Sequence, residues 1–196
     1  MHRKLMALVS LAVVALAAAA VAAAAHRIVG TAGDDTIAGT PGADAIFARA
    51  GNDSVAAGDG NDRVHGQRGN DTLNGDAGRD HIWGGSGNDA ISGGDGDDVL
   101  RGRPGDDTVS GGPGNDRIWV GWGADVASGG DGDDVLHALA RDRQHDIVDC
   151  GPGNDVVWLR AGEDDSAANC ETVKTVSVVS VGQAAEEGSA TERNGD

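Results

Sequence analysis

Tyrosine is absent from this chain of 196 residues, phenylalanine occurs once and tryptophan four times. Leu, Ile, Val and Phe together number 37, about 19 % of the chain. That is too little apolar and aromatic surface to offset chain entropy by burial alone, which excludes an ordinary globular core. Positive charge is also scarce: 15 Lys and Arg stand against 32 Asp and Glu, a net charge of −17. An acidic chain repels phosphate, so nucleic acid is not expected as a partner. Glutamate is missing from residues 26–140 although aspartate is abundant there. The chain has no nucleophile elbow and no zinc motif, its histidines are scattered, and no catalytic residue is assigned.

The abundant residue is glycine, with 33 copies, and its spacing organises the chain. Twelve nonapeptides, among them GNDSVAAGD and GNDTLNGDA, run without a gap from Gly33 to Ala140. Position one is Gly in all twelve and position three is Asp in all twelve. Position five is aliphatic in eleven, with Ala127 the exception, and position seven is Gly in eight. A disordered acidic tail would not keep Asp and an aliphatic residue in phase in this way. Glycine at several turn positions permits positive φ and brings carbonyl oxygens together. Aspartate adds a short carboxylate beside them, and six to eight oxygens of this mixed kind are what calcium takes.

The segment ahead of the repeats has a different composition. His2, Arg3 and Lys4 precede a largely apolar run from Leu5 to Ala25 that closes in Ala23-Ala24-Ala25. Residues 1–25 read as a Sec-type secretory signal peptide; the competing reading is a membrane anchor. Cleavage removes Arg3 and Lys4 and no acidic residue, so the mature chain is more acidic still. It is expected to be secreted and not to insert into a membrane.

The nonapeptide resembles the GGxGxDxUx unit of the RTX (haemolysin-type) calcium-binding repeats, in the form found in small secreted actinobacterial proteins without a catalytic domain. The resemblance implies an all-β, right-handed parallel β-roll of six to seven coils, each made of two nonapeptides, with calcium in the turns. Six residues form each turn and three, such as Thr36-Ile37-Ala38, form each strand. Residues two repeats apart then stack. One side carries Asp35, Asp53, Asp71, Asp89, Asp107 and Asp125; the other carries Asp44, Asp62, Asp80, Asp98, Asp116 and Asp134. Calcium between successive turns would use one Asp from each, giving about ten ions by this geometry. Asp34, Asp97, Asp106 and Asp133 at position two, and Asp59, Asp95 and Asp131 at position nine, read as solvated turn acids.

Positions four and six of each strand face outward. In odd repeats these residues are small and uncharged. In even repeats position six reads Phe47, His65, Trp83, Arg101, Trp119 and His137, and Trp158 falls at the same place after a three-residue insertion. Three readings stand side by side. The strip binds a cell-envelope or extracellular glycan through its rings, its side chains stack on one another, or the chain's tail packs over it.

The period breaks at Arg141-Asp142-Arg143 and resumes weakly, with Asp155 the one good ligand expected there. The segments around Cys150 and Cys170 resemble the closing region of secreted RTX-repeat proteins. These are the only cysteines, and a disulfide between them is preferred over two free thiols, as a cap on the open end. Residues 26–140 are thus read as the roll, 141–181 as degenerate repeats and cap, with one strand in Val173–Val181, and 182–196 as a disordered tail. Toxin or hydrolase activity does not carry over, because the repeats begin about eight residues after the cleavage point. The expected function is a calcium-binding protein that folds on calcium outside the cell and acts as a surface, adhesion or structural module. A polysaccharide-active β-helix enzyme and an accessory domain of a toxin or hydrolase are the alternatives.

Overall fold

The computed structural model describes residues 12–14 and 26–177. The rest of the proposed signal peptide and the tail beyond residue 177 lie outside the described residues. The chain is a parallel β-solenoid of two sheets, nine strands each. One sheet holds the odd strands: β1 (Ala12–Val14), β3 (Asp35–Ala38), β5 (Ser54–Ala56), β7 (Thr72–Ala77), β9 (Ala90–Asp95), β11 (Thr108–Pro113), β13 (Val126–Asp131), β15 (Ile147–Asp149) and β17 (Ser166–Ala168). The other holds the even strands: β2 (His26–Val29), β4 (Asp44–Ala50), β6 (Arg63–Arg68), β8 (His81–Ser86), β10 (Val99–Pro104), β12 (Arg117–Trp122), β14 (Val135–Ala138), β16 (Val156–Arg160) and β18 (Thr172–Val176).

Each strand pairs with the one two places on. Thr72 lies opposite Ala90 and Ala90 opposite Thr108, so the ladder advances two repeats per rung. The coil count is about eight, more than the six to seven expected. The additional rungs come from His26–Val29 and from the degenerate C-terminal repeats. The ladder absorbs the insertion by lengthening its step by three positions, with His137 opposite Trp158. Most strands are also longer than three residues. Because neighbouring coils superpose, turn backbone pairs too: Gly78 donates its N–H to Asp95 O and Gly60 to Ala77 O, at 2.8 and 2.7 Å.

The core is thin and linear. Position five supplies one buried side chain per strand, from Ile28 through Ile46, Leu73, Leu100 and Ile118 to Val157. Position seven lies beside it and carries Gly, Ala48, Ala57, Val120, Ala138 or Cys150. Cys150 and Cys170 form a disulfide with their Cα atoms 5.1 Å apart. Closing 20 residues in this way restricts the unfolded chain by an amount worth about 3 kcal/mol on the chain-entropy account. The open end has a different arrangement. β1, within residues 1–25, lies parallel to β3 with Val13 opposite Thr36, so these three residues join the odd sheet. A sheet edge accepts any extended segment that reaches it.

Two positions per repeat take left-handed backbone. Position one does so at Gly51 and at each repeat start through Gly132. Position eight does so as glycine in six of the twelve repeats and as Arg49 (φ 89°), Gln67 (83°), Asp76 (71°) and Arg103 (83°) in four. A side chain there costs about 1–2 kcal/mol. Asp76 is supported locally, since it accepts the Gly58 N–H at 3.1 Å; the side chains of Arg49, Gln67 and Arg103 show no hydrogen bond among the described residues.

The glycine positions differ in what they tolerate. At Gly78 (φ 137°) a Cβ would run into the carbonyl of Gly60, whereas at Gly33 it would meet nothing within 4 Å. Gly78→Ala is expected to destabilise the calcium-loaded roll by about 1–3 kcal/mol and Gly33→Ala by less than about 0.5. Denaturant unfolding of the two variants in excess calcium checks this.

Candidate metal centre

Aspartate at position three is the first residue of β3 and β4 and immediately precedes the other strands of the repeats, where the turn delivers it pointing into the roll. Fourteen aspartates are buried there: the twelve of the uninterrupted repeats, Asp155, and Asp146. All but the first of each column, Asp35 and Asp44, which accept from Thr31 and Thr40 of their own turns, use one carboxylate oxygen to join coils. Along the odd column Asp35 N–H donates to Asp53 Oδ1, Asp53 to Asp71, Asp71 to Asp89, Asp89 to Asp107 and Asp107 to Asp125, all at 2.8 Å. The series continues to Asp146 at 3.0 Å and from there to Asp165 at 3.1 Å. The even column matches it from Asp44 through Asp62, Asp80, Asp98, Asp116 and Asp134 to Asp155, at 2.7–2.8 Å. It ends on Glu171 Oε2 at 2.8 Å.

The second oxygen has no such partner. Oδ2 of Asp53, Asp62, Asp71, Asp80, Asp89, Asp98, Asp107, Asp116, Asp125, Asp134 and Asp155 is buried without a hydrogen bond. At Asp71, Asp80, Asp89, Asp98, Asp107, Asp116 and Asp134 these atoms converge with backbone carbonyls on a glycine of position seven, whereas Ala48, Ala57, Val120 and Cys150 stand at that position beside Asp53, Asp62, Asp125 and Asp155. A Cβ on Gly66 would collide with Asp71 Oδ2 and Gly84 O, one on Gly111 with Asp116 Oδ2 and Gly129 O. The glycine-lined gaps between coils therefore present carboxylate and carbonyl oxygens together. No cluster of three or more His, Cys, Asp or Glu side chains suited to a metal forms among the described residues.

Burial is the main influence on these carboxyls. It pushes Asp107 up to about 8, Asp80, Asp116 and Asp146 to about 7, and Asp53, Asp62, Asp89, Asp98, Asp125 and Asp134 to about 6. The N–H donated by the preceding coil opposes the rise, while at Asp80, Asp107 and Asp116 the carboxylates above and below add to it. Buried, unpaired, like-charged oxygens at a few ångströms are stable only when protonated or bridged by a cation.

Residues 29–64, 56–91, 65–100, 92–127 and 101–136 match the family of the RTX calcium-binding nonapeptide repeat. The chain belongs to this family. No curated protein matches it. As an RTX repeat protein it binds calcium, and its donor set fits that ion: hard, anionic oxygen from Asp Oδ2 together with backbone carbonyls. Calcium would supply the positive charge that this column lacks.

Asp146 is a ligand candidate that the sequence reading of the degenerate region misses. It is 4 % exposed and in register with Asp125 despite lying 21 residues on. Its signal is the sequence Asp146-Ile147-Val148, which repeats the Asp-x-aliphatic order once the insertion is allowed for. The position-two acids stand outside the column. Asp34, Asp97, Asp106 and Asp133 are exposed and accept backbone N–H groups of the next coil, as Asp133 does from Asn154 at 2.9 Å.

The aromatic strip forms a continuous stack on the even sheet. Phe47 and His65 lie 5.0 Å apart with planes 1° from parallel, His65 and Trp83 4.3 Å and 1°, Trp119 and His137 4.9 Å and 2°, and His137 and Trp158 6.1 Å and 10°. Arg101 bridges Trp83 and Trp119 at 5.9 and 4.5 Å, and Arg27 and Lys174 cover the ends on Phe47 and Trp158. Ring faces thus look along the roll axis at each other and ring edges look out, the arrangement of the mutual-stacking reading. His65 and His137 are pushed down by burial within the stack, His65 also by Arg103.

Without metal, the folded roll holds protons that the unfolded chain has released, from the ordinary carboxyl range up to about 8. Its stability therefore falls as pH rises across that window, while calcium affinity rises. Circular dichroism in chelator should show more β structure at pH 5 than at pH 8, with the order reversed at limiting calcium. A substitution of Asp by Asn keeps Oδ1 for the backbone ladder but removes the charge. Calorimetry should find that Asp89→Asn loses the ions of the two gaps it borders, that Asp146→Asn also loses calcium, and that Asp133→Asn loses none.

Proposed function

We propose that this RTX repeat protein is exported unfolded and is assembled by extracellular calcium into a stiff rod that serves as a surface or structural module. The observation that carries this reading is the row of buried, unpartnered Asp Oδ2 atoms in both columns. In a cell interior poor in free calcium those charges oppose folding, and the thin core of one aliphatic residue per strand offers little against them. Outside, calcium neutralises them, and metal binding becomes folding energy. About ten ions occupy the twelve uninterrupted repeats, and Asp146 and Asp155 add one further gap to each column. The closed ring stack favours the structural role over sugar stacking on the strip, because no ladder ring between Phe47 and Trp158 presents an open face.

Calcium titration followed by circular dichroism tests the proposal. β structure is expected to appear cooperatively at roughly 0.1–1 mM, the usual range of extracellular calcium modules. Magnesium, which demands a tighter octahedral shell, is expected not to replace it. A chain equally folded in chelator at neutral pH overturns the reading.

A further inference from the structure

Cations are few in this chain, and their placement is uneven. At positions four and six the even sheet carries Arg27, Arg63, Arg101, Arg117 and Lys174 and not one carboxylate. The turn that leaves this sheet adds Arg49, Arg68 and Arg103. The turn leaving the odd sheet carries Asp59, Asp76, Asp95 and Asp131 at the matching positions. Among the described residues the one ion pair is His26–Asp44, so Arg68 and Arg103 are exposed without a carboxylate partner.

Three successive coils shape this turn into a notch. Gln67-Arg68 stands on one side and Arg103-Pro104 on the other. Between them the middle coil has only Gly85 (φ 130°) and Ser86, which form the floor. The edges of His65 and Trp83 form the wall, and the notch holds about 370 Å³. No carboxylate lines it, although the chain is strongly acidic. Gln67 and Arg103 are both left-handed at a position where glycine sits without strain in the coil between them. Unlike Asp76, neither has a side-chain bond that supports the conformation. Strain kept at two flanking positions marks residues retained for what their side chains present. One coil beyond Pro104 stands Trp122, 64 % exposed and outside the ladder. It takes part in none of the ring or cation stacks among the described residues, and two rungs of about 4.8 Å separate it from Ser86.

We propose that this notch, with Trp122 beside it, binds an acidic glycan. Arg68 and Arg103 hold the oxyanion of a uronate or sulfated sugar seated over Gly85, Gln67 and Ser86 bond its hydroxyls, and Trp122 stacks on a neighbouring ring. A lining that is polar and apolar in about equal parts suits a sugar ring with its hydroxyls, and paired guanidinium groups suit an oxyanion. Net acidity is no obstacle in the loaded protein, since about ten divalent ions bring roughly +20 against −17 for the full chain, or −19 without Arg3 and Lys4. The inference rests on the calcium-filled roll being the folded form.

Calorimetry on the full chain in saturating calcium tests it, with circular dichroism on each sample separating loss of fold from loss of binding. The probes are a hyaluronan hexasaccharide for the carboxylate, a sulfated galactan oligomer for the sulfate, chitohexaose as the neutral sugar and dT10 as a non-sugar polyanion. Binding of either acidic glycan is expected, weakened about tenfold or more in Arg68→Gln, in Arg103→Gly and in Trp122→Ala. Arg103→Gly relieves a left-handed side chain, so its unfolding midpoint should not fall. Arg79→Gln, on the opposite turn, should change affinity by less than about twofold. The proposal is overturned if neither acidic glycan binds, if chitohexaose or dT10 binds as tightly as both, or if Arg103→Gly retains full affinity.

Discussion

From Asp53 and Asp62 onward, the column aspartates of the uninterrupted repeats hold the coil before them with one oxygen and leave the other buried without a hydrogen bond. The Oδ1 contacts, at 2.7–2.8 Å through the twelve uninterrupted repeats, fix the two-repeat step of the ladder. The Oδ2 atoms make that ladder unstable at neutral pH without a counter-charge. Adhesion between coils and dependence on calcium are therefore two properties of a single carboxylate, and no substitution removes one while leaving the other as it was. Asparagine comes nearest, because it keeps the acceptor and loses the charge.

Everything else in the roll reinforces this contact. The aliphatic line from Ile28 to Val157 is one side chain wide per strand, so burial contributes continuously but thinly. On one face the ring and guanidinium stack runs parallel to it over eight rungs, from Arg27 on Phe47 to Lys174 on Trp158. The disulfide closes the C-terminal end, where the calcium pattern is weakest and the step irregular. Each coil touches only its neighbours, so these contributions add locally along the rod.

The period made most of this legible. Gly at one, Asp at three and an aliphatic at five specify turn, column and core, and alternation within each strand specifies the two unlike faces. Asp146 escaped because its repeat lacks the marker residues: Gln144 stands where the pattern has glycine, whereas Asp155, displaced by the same insertion, keeps Gly153. The strands are longer than the repeat pattern implies, since superposed turns continue the hydrogen-bond ladder through residues that carry no β signal. The notch was illegible for another reason. It is made by Gly85 lying between Gln67 and Arg103, a contrast across three coils that disappears when repeats are averaged into a consensus.

The division into odd and even sheets makes length in this molecule subject to parity. A loss or gain of two nonapeptides removes or adds a whole coil and leaves every later side chain on the sheet it occupied. A change of one nonapeptide keeps glycine, aspartate and core in phase, so the roll still closes. Everything downstream then moves to the other sheet, placing Trp119 and His137 among threonines and serines and splitting the stack. Drift in repeat number within such a rod is thus confined to even steps wherever the two faces differ in what they do.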